Sequence, residues 1–396
     1  MKFTKKVLDN GLTILHEKRD VPVTTVAIAS KFGAAYETES EKGISHVIEH
    51  LCFKGTKKRS MKEISSEIEK IGGILNAFTH EEVTLYHAKL PSKHMNVALD
   101  VLFDVYFNPS FPEEEMNKEI KVICEEIKMR KDNPRVYVCD RLKQNLYEKP
   151  FGLNVSGDEK TILALTRKDI LAKHGEKYCP ANSILCVVGN NSLEDVMKFV
   201  NKFSFSKNSP AARGKEPKKI NLNSEDKREG IEQANLAMGF HFPTGQSKER
   251  YAAQLFNAIF GDGMSSKLFL EVREKLGLVY AIKSDFDIGK DYGYLLVYAG
   301  TDKSKVKQVI SIVSDEFKKM EKTTEEELGE AKRQMIGNQL VMVEGSEESA
   351  VNLIMEEILD KAEKYYQFEK KINEVTLEEI KSLARNVKFS YSVLSP

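Results

Sequence analysis

A polar stretch near the middle of the chain constrains the fold more than any other feature of the sequence. Residues 204–221 read "SFSKNSPAARGKEPKKIN", with two prolines and no hydrophobic periodicity, which is typical of a linker. The chain has 396 residues, more than one hydrophobic core usually serves. We therefore predict two domains, at residues 1–205 and 222–396, joined by a linker at residues 206–221.

The two halves of the chain use the same mixture of strands and helices. In the first half, Asp9-Asn10-Gly11 predicts a tight turn between two strands, and Ser60 with Glu63 forms a capping box that opens a helix. In the second half, "QANLAMGFHF" and "GYLLVYAGT" indicate strands, and "ERYAAQLFNAIFG" and "SSKLFLEVREKLG" indicate helices. Because strands and helices do not alternate regularly, this pattern favours the α+β class. We expect two similar domains, each a mostly antiparallel sheet packed with helices on one face.

The composition is that of an ordinary globular protein. Hydrophobic residues make up 41% of the chain, and 60 acidic side chains balance 60 basic ones, so net charge gives no indication of nucleic-acid binding. The amino terminus lacks the apolar segment of a signal peptide, and no stretch approaches the ~18 apolar residues of a membrane span. We expect a cytoplasmic protein with neither nucleic-acid nor membrane partners, and with reduced thiols, because no CxxC pair occurs. The cysteines are Cys52, Cys124, Cys139, Cys179 and Cys186.

The segment "GISHVIEHLCF" contains two histidines four residues apart, in a run that otherwise reads as a half-buried helix. Residues four apart lie on one face of a helix, so His46 and His50 can chelate one metal ion. Two imidazole nitrogens bind Zn²⁺ at about 2.0–2.1 Å, and Glu49 can reach a metal-bound water without being a ligand. The alternative is a pair of core histidines with ordinary hydrogen-bond partners. Because a catalytic zinc typically has three protein ligands, the metal interpretation requires a third.

A second helix offers candidates for the third ligand. The segment "EEEMNKEIKVICEEIKMRKD" carries an apolar stripe at helical spacing, formed by Met116, Ile120, Ile123 and Ile127. Glu119 and Glu126, two turns apart, both lie on one flank of this stripe, whereas Glu125 points almost opposite to it. Burying Glu126 beside apolar side chains would be costly without a metal or a basic partner. The alternative is a solvated run of charges.

Together these residues resemble the pitrilysin or insulinase-like zinc metallopeptidases, which carry the motif His-x-x-Glu-His and include the mitochondrial processing peptidases. In that family a glutamate ligand follows the motif by about seventy-six residues, and Glu126 stands at that distance from His50. The resemblance implies that His46, His50 and Glu126 hold one Zn²⁺ per chain. It also implies that Glu49 is the general base and that Glu119 orients one of the ligands.

Two further segments are similar to family sequences. "GGILNAFT" resembles the edge strand that pairs with an extended substrate, which implies substrate contacts at Asn76, Ala77 and Phe78. "FGDGMSSKLFLEVREKLGLVYAI" resembles the stretch whose arginine and tyrosine reach the substrate carbonyl, and these residues are Arg273 and Tyr280 here. Without the resemblance, the first segment is an ordinary strand, and the second contains a surface arginine and a core tyrosine.

The resemblance implies a zinc endopeptidase that hydrolyses unstructured peptides inside a chamber completed by dimerisation. A homodimer is the simplest assembly, because one chain carries both the metal motif and the arginine–tyrosine segment, and a heterodimer with an inactive homologue is the alternative. Two other functions stay open: an inert scaffold subunit of the same fold, and a zinc amidohydrolase acting on a non-peptide substrate. Mitochondrial processing enzymes carry acids ten and fourteen residues after the ligand glutamate. This chain has Val136 and Asp140 there, so arginine-directed presequence processing is not expected.

Overall fold

The fold comes from a computed structural model, which describes residues 2–203, 216–385 and 387–396. Most of the expected linker, residues 206–215, lies outside the described residues. The chain forms two compact units, and each unit is assembled from separate segments of sequence. The first unit comprises Met1–Ile127, Asn154–Lys215 and Met342–Tyr365, and the second comprises Lys128–Leu153, Glu216–Val341 and Tyr366–Pro396.

Strands and helices are mixed along the described chain. The strands are β1 (Lys2–Val7), β2 (Thr13–Lys18), β3 (Val23–Ser30), β4 (Ile74–Thr79), β5 (Thr84–Pro91), β6 (Ser183–Gly189), β7 (Asn223–Lys227), β8 (Ala234–His241), β9 (Val279–Ile288), β10 (Gly293–Thr301) and β11 (Phe389–Ser395). The α-helices are α1 (Ile44–Cys52), α2 (Met61–Glu69), α3 (Met95–Phe107), α4 (Glu113–Asp132), α5 (Pro134–Leu146), α6 (Glu159–Ala164), α7 (Arg167–Lys177), α8 (Leu193–Val200), α9 (Arg250–Phe260), α10 (Val306–Lys319), α11 (Glu325–Val343), α12 (Ser346–Leu359), α13 (Phe368–Glu374) and α14 (Leu377–Ala384). Phe269–Lys275 forms a π-helix where the sequence predicts an ordinary helix.

The first unit contains a six-stranded sheet with the strand order β1-β2-β6-β3-β5-β4. β2 and β6 are parallel, and the other neighbouring strands are antiparallel. The expected amino-terminal hairpin is present: Lys2 pairs with Lys18 at its open end, and Gly11 adopts a φ of +88° in the turn. Among the described strands, β4 pairs with β5 alone, so β4 is an edge of this sheet.

Helices cover both faces of the first sheet. Along β3, Val26 and Ile28 belong to the larger core, which includes residues of α1, α2 and α3. Ala27 and Ala29, which point to the opposite face, belong to a second core that includes residues of α12. A strand that is buried on both faces requires cover on both. The α+β class is confirmed, and the expectation of helices on one face is corrected by α12, which covers the other.

The second unit contains a five-stranded sheet with the order β7-β11-β8-β10-β9, in which β7 and β11 are parallel. If β1 is set aside, the first sheet has the same topology: β2, β6, β3, β5 and β4 correspond in sheet position and in chain order to β7, β11, β8, β10 and β9. The expectation of two similar domains is therefore confirmed. The two sheets thus share one topology, a similarity that is not visible by eye in the sequence.

Each half of the sequence contributes one helix to the other half's sheet. Helix α5 comes from the first half and packs on β8 and β11, whereas α12 comes from the second half and packs on β3 and β6. Gly239 of β8 makes room for α5, because a Cβ atom there would lie 2.7 Å from a methyl carbon of Leu146. The predicted boundaries at residues 205 and 222 therefore do not describe the compact units, since packing between distant segments decides where each helix belongs.

The cysteines and the helices bear on two expectations drawn from the composition. All five cysteines are free thiols, and four of them are buried. Burial raises the pKa of the Cys52 thiol to about 12, so this side chain is an uncharged part of the core. Among the helices that the structure describes, none combines the length and the apolar composition needed to cross a bilayer.

A buried histidine makes the first unit sensitive to acid. His174 of α7 donates a hydrogen bond from Nε2 to the carbonyl oxygen of Tyr106 at 2.9 Å, and burial lowers the pKa of His174 from 6.5 to about 4. Because unfolding restores the ordinary pKa, the unfolded chain binds an extra proton between these two values. Stability is therefore lost as the pH falls from 6.5 towards 4.

Urea unfolding of wild type and His174→Gln tests this contribution. Between pH 7 and pH 4.5, we expect the free energy of unfolding to fall by about 2 kcal/mol more in wild type than in the variant, because the variant lacks the titrating imidazole. An equal fall in the two proteins would contradict this assignment.

Candidate metal centre

Helix α1 is held at its amino end by a buried carboxylate. Glu37 accepts hydrogen bonds from the backbone N–H groups of Gly43 at 2.9 Å and Ser45 at 2.8 Å, and from the Ser45 hydroxyl at 2.6 Å. Burial raises the pKa of Glu37, although Lys42, whose Nζ lies 3.6 Å from the carboxylate, acts in the opposite direction. Gly43 adopts a φ of +96°, a conformation that favours glycine. These contacts fix where α1 begins, just before His46.

His46 and His50 lie side by side on α1, and Glu126 of α4 faces both of them. The two Nε2 atoms are 3.2 Å apart, and Glu126 Oε2 lies 3.8 Å from His46 Nε2 and 3.6 Å from His50 Nε2. Ligand atoms about 2.0–2.1 Å from a tetrahedral zinc are about 3.3–3.4 Å from one another. Two imidazoles and a carboxylate are also a common ligand set for a catalytic zinc. By both spacing and chemistry, these three residues fit a zinc ion.

No second group of this kind occurs in the part of the chain that the structure describes. Among the described residues, one set of three or more His, Cys, Asp or Glu side chains has donor atoms that all lie within 4.8 Å of one another, and it consists of His46, His50 and Glu126. If the described residues bind a metal ion through three such side chains, we therefore expect it between His46, His50 and Glu126.

Glu119 orients the ring of His50 from behind. Its Oε1 lies 2.9 Å from His50 Nδ1, and because a carboxylate only accepts, Nδ1 carries the proton and the Nε2 lone pair is left for a metal. Lys54 Nζ lies 2.6 Å from the other oxygen of Glu119. Burial alone would raise the pKa of Glu119, but the contacts with His50 and Lys54 outweigh it and lower that pKa. The carboxylate is thus kept ionised, as an acceptor for His50.

Glu49 lies on α1 between the two histidines and contacts the end of β4. Its Oε2 accepts a hydrogen bond from the Thr79 hydroxyl at 2.6 Å. Burial raises the pKa of the Glu49 carboxyl, and the hydrogen bond from Thr79 partly opposes this shift. A carboxylate whose pKa is raised by burial holds a proton more readily than an ordinary surface glutamate, which suits general acid–base chemistry.

A cavity of about 400 Å³ adjoins Glu49 and His50 within the first unit. It is lined by residues of α1 and the turn that follows it, and by residues of α2, α4 and β4, namely Glu49, His50, Phe53, Lys54, Met61, Ser65, Glu69, Leu75, Asn76, Ala77 and Glu119. Asn76, Ala77 and Phe78 pair with β5 on one side of β4. The other side of β4 has no strand partner among the described residues. The same strand contributes Leu75, Asn76 and Ala77 to the lining of the cavity.

Arg273 and Tyr280 belong to the second unit, whereas the metal ligands belong to the first. Arg273 lies in the π-helix, and its guanidinium carbon is 4.7 Å from the centre of the Phe269 ring. Tyr280 lies near the start of β9 with 57% of its surface exposed, and its hydroxyl donates to Asp302 at 3.4 Å. Tyr280 is therefore not a core tyrosine.

Comparison with known proteins identifies the family to which this chain belongs. Residues 12–159 match the family model described as Insulinase (Peptidase family M16), and residues 164–335 match the model described as Peptidase M16 inactive domain. A zinc protease of Rickettsia felis, described as uncharacterized, is 36% identical over 347 residues, which cover 86% of this chain and 84% of the relative. One from Bacillus subtilis is 32% identical over 399 residues, covering 98% and 97%. The chain belongs to the insulinase family of peptidases.

Solved structures show the same fold. A protease from Helicobacter pylori superimposes with a TM-score of 0.89 at 22% identity, covering 100% of this chain and 99% of that one. A Pseudomonas fluorescens protein described as a peptidase M16 inactive domain superimposes with a TM-score of 0.91 at 20% identity, covering 100% and 98%. At these identities the likeness concerns the fold alone.

Three residues of the site's surroundings were not predicted from the sequence: Glu37, Lys54 and Thr79. Glu37 lies six residues before Gly43, the N-cap of α1, so no capping pattern indicates it. Lys54 lies in the turn after α1, and its partner Glu119 belongs to α4. The partner of Thr79 lies 30 positions away in the sequence, so Thr79 carries no local signal either.

Proposed function

We propose that this protein is a zinc-dependent endopeptidase that hydrolyses unstructured peptides. The observation that carries this proposal is the convergence of one carboxylate oxygen and two imidazole nitrogens, from α4 and α1, at separations of 3.2–3.8 Å. Zinc held by His46, His50 and Glu126, one ion per chain, would supply a Lewis acid beside the base Glu49. Relatives described as zinc proteases support the same chemistry.

The residues of this chain divide the work of hydrolysis. Glu49 takes a proton from the attacking water as the water oxygen bonds to the scissile carbonyl carbon. As the C–N bond breaks, Glu49 passes that proton to the departing amine. Glu119 keeps the ring of His50 in place through its 2.9 Å contact with Nδ1. The net reaction adds one water molecule across one amide bond and gives a carboxylate and an amine.

An extended substrate would bind by adding a strand to the free edge of β4. In the segment Asn76, Ala77 and Phe78, the backbone groups that face away from β5 would pair with the peptide, and alternate side chains of the peptide would point towards the cavity. Because strand addition needs an unfolded segment, this mode accepts unstructured peptides and excludes folded domains. The choice of substrate would then depend more on the size of the peptide than on its sequence.

Arg273 and Tyr280 would hold the oxygen of the scissile carbonyl as negative charge develops on it. Tyr280→Phe removes only the hydroxyl, and its exposure makes a large loss of stability unexpected. We expect kcat to fall by about tenfold to a hundredfold with little change in KM, because the lost contact strengthens in the transition state. Steady-state kinetics on a quenched peptide, with Tyr366→Phe as the control at another exposed tyrosine, measures this. A wild-type kcat in Tyr280→Phe would remove Tyr280 from the site.

Dimerisation would complete the chamber around the substrate. A homodimer with two active sites is the simplest assembly, because one chain carries every proposed residue, and a heterodimer with an inactive homologue is the alternative. Analytical ultracentrifugation of the purified chain should give twice its mass of 44.9 kDa. A fully active monomer would refute the dimeric chamber. The cytoplasmic location expected from the sequence stays a prediction.

An inert scaffold of the same fold is the main alternative function. The description of an inactive domain applies to residues 164–335, which contain none of the three proposed ligands, whereas residues 12–159 contain all three. Zinc analysis of protein purified without chelator separates the two functions. About one zinc per chain supports the peptidase, and less than about 0.2 per chain supports the scaffold.

A library of quenched, unstructured peptides tests the reaction itself. We expect cleavage that stops on addition of a chelator and returns with zinc. If zinc is present and no peptide is cut, a zinc amidohydrolase acting on a non-peptide amide becomes the better assignment.

A further inference from the structure

Thr79, the last residue of β4, holds one oxygen of the carboxylate that we assign as the base. Its hydroxyl donates to Glu49 Oε2 at 2.6 Å, which is in the short range typical of a hydroxyl bonded to a carboxylate. The other oxygen of Glu49 makes no hydrogen bond to a residue within the described ranges. One oxygen is therefore fixed by the protein, and the other is left to exchange a proton.

The orientation of Glu49 matters because proton transfer depends on short distances. A glutamate side chain rotates about several bonds, and the base must come within about 2.6–3.2 Å of the group that it deprotonates. A displacement of about 1 Å can slow a reaction by about a hundredfold. A single directional hydrogen bond from a strand is a means of selecting one orientation of this carboxylate.

The hydrogen-bond donor also sits on the strand that we propose binds the substrate. Thr79 follows directly after Asn76, Ala77 and Phe78, and it pairs with Thr84 at the end of the β4–β5 ladder. A peptide added to the free edge of β4 would order this strand and, with it, the hydroxyl that holds the base. The contact therefore links the peptide-binding strand directly to Glu49.

Thr84, which pairs with Thr79 across the two strands, has a structural role that Thr79 lacks. Thr84 is fully buried, and its hydroxyl donates to the backbone carbonyl of Phe32 at 3.0 Å, which connects the start of β5 to the loop after β3. Thr79 is only partly buried, and its hydroxyl bonds to Glu49. The two members of this cross-strand pair thus have different partners.

We propose that Thr79 is a positioning residue that orients Glu49 for proton transfer. This inference rests on the proposed peptidase function. Thr79→Val keeps the branched shape and removes the hydroxyl, whereas Thr79→Ser keeps the hydroxyl. In zinc-loaded full-length protein, we expect Thr79→Val to lower kcat by about tenfold to a hundredfold with KM within about twofold of wild type. Thr79→Ser should recover most of the lost kcat.

Two further measurements separate positioning from a structural role. Zinc content should equal that of wild type in both Thr79 variants, because Thr79 contacts the base and none of the three proposed ligands. The control Thr84→Val removes the structural hydroxyl, and it should lower the melting temperature while the folded enzyme keeps kcat within about twofold of wild type.

Defined outcomes would overturn the proposal. Wild-type kcat in Thr79→Val, a change confined to KM, loss of zinc, or failure of Thr79→Ser to recover activity would each refute the positioning role. If wild-type protein containing zinc cuts no peptide, the proposed function itself fails. If wild type is active and Thr79→Val matches it, only the role of Thr79 fails.

Discussion

Replacing Glu49 with glutamine is expected to stop peptide hydrolysis while zinc stays bound. Glutamine has the size and shape of glutamate, but its amide cannot accept the proton that the base must take from water. We expect kcat to fall by about 10²–10⁴-fold, the range that a general base contributes. The measurement is steady-state cleavage of a quenched peptide by Glu49→Gln and wild type, with zinc quantified in the same samples.

Stability gives an independent check on this variant. The amide oxygen of glutamine can still accept the hydrogen bond from Thr79, which is 2.6 Å from the carboxylate in wild type. Because glutamine keeps the size of the side chain and the hydrogen bond from Thr79, the melting temperature should stay close to that of wild type. Full turnover in Glu49→Gln would refute the base, and loss of zinc would make Glu49 a ligand instead.

The elements that could be predicted from the sequence are those with local signals. The turn at Gly11 and the capping box of Ser60 with Glu63 each specify a boundary within a few residues, and both are present. The segments "QANLAMGFHF" and "GYLLVYAGT" were predicted as strands, and they contain β8 and β10. Such signals act between neighbours in sequence, so they are independent of how the rest of the chain packs.

The exchange of helices between sheets could not be predicted in the same way. No local sequence pattern in α5 or α12 indicates which sheet the helix packs on, because that depends on contacts between segments far apart in sequence. An indirect sequence signal does exist in β3, because residues 26–29 are consecutive apolar residues, and all of them are buried in the structure. A strand of that kind requires cover on both faces, so it argues for a helix on the second face without saying which one.

The residues of the candidate site also differ in whether a local sequence signal predicts them. The spacing of His46 and His50 is a helical relation within one segment, and the structure gives them adjacent Nε2 atoms. Glu126 lies on a different helix. Helical spacing reduced the candidates for the third ligand to Glu119 and Glu126, and the family resemblance then indicated Glu126. Thr79 was missed, because only the folded sheet brings the end of β4 to Glu49.

Loss of zinc from Glu126→Gln is the second large effect that we expect. Glutamine keeps the volume of the side chain but replaces the carboxylate by a neutral amide, which is a much poorer zinc ligand. Glu126 is half-buried, so the change should not unfold the protein. We expect zinc affinity to fall by more than about a hundredfold, which exceeds the loss caused by removing a partner of a ligand.

Three glutamates on α4 allow this prediction to be tested against matched controls on the same helix. Glu119 bonds to the ligand His50 at 2.9 Å and does not face the metal position directly, so Glu119→Gln should weaken zinc binding by about tenfold to a hundredfold. Glu125 is exposed on the adjacent position of the same helix, so Glu125→Gln should leave zinc affinity unchanged. Competition with a chromophoric chelator gives all three affinities without reference to activity. Equal affinities in Glu126→Gln and Glu125→Gln would show that the carboxylate of α4 does not hold the metal, and the peptidase assignment would fail with it.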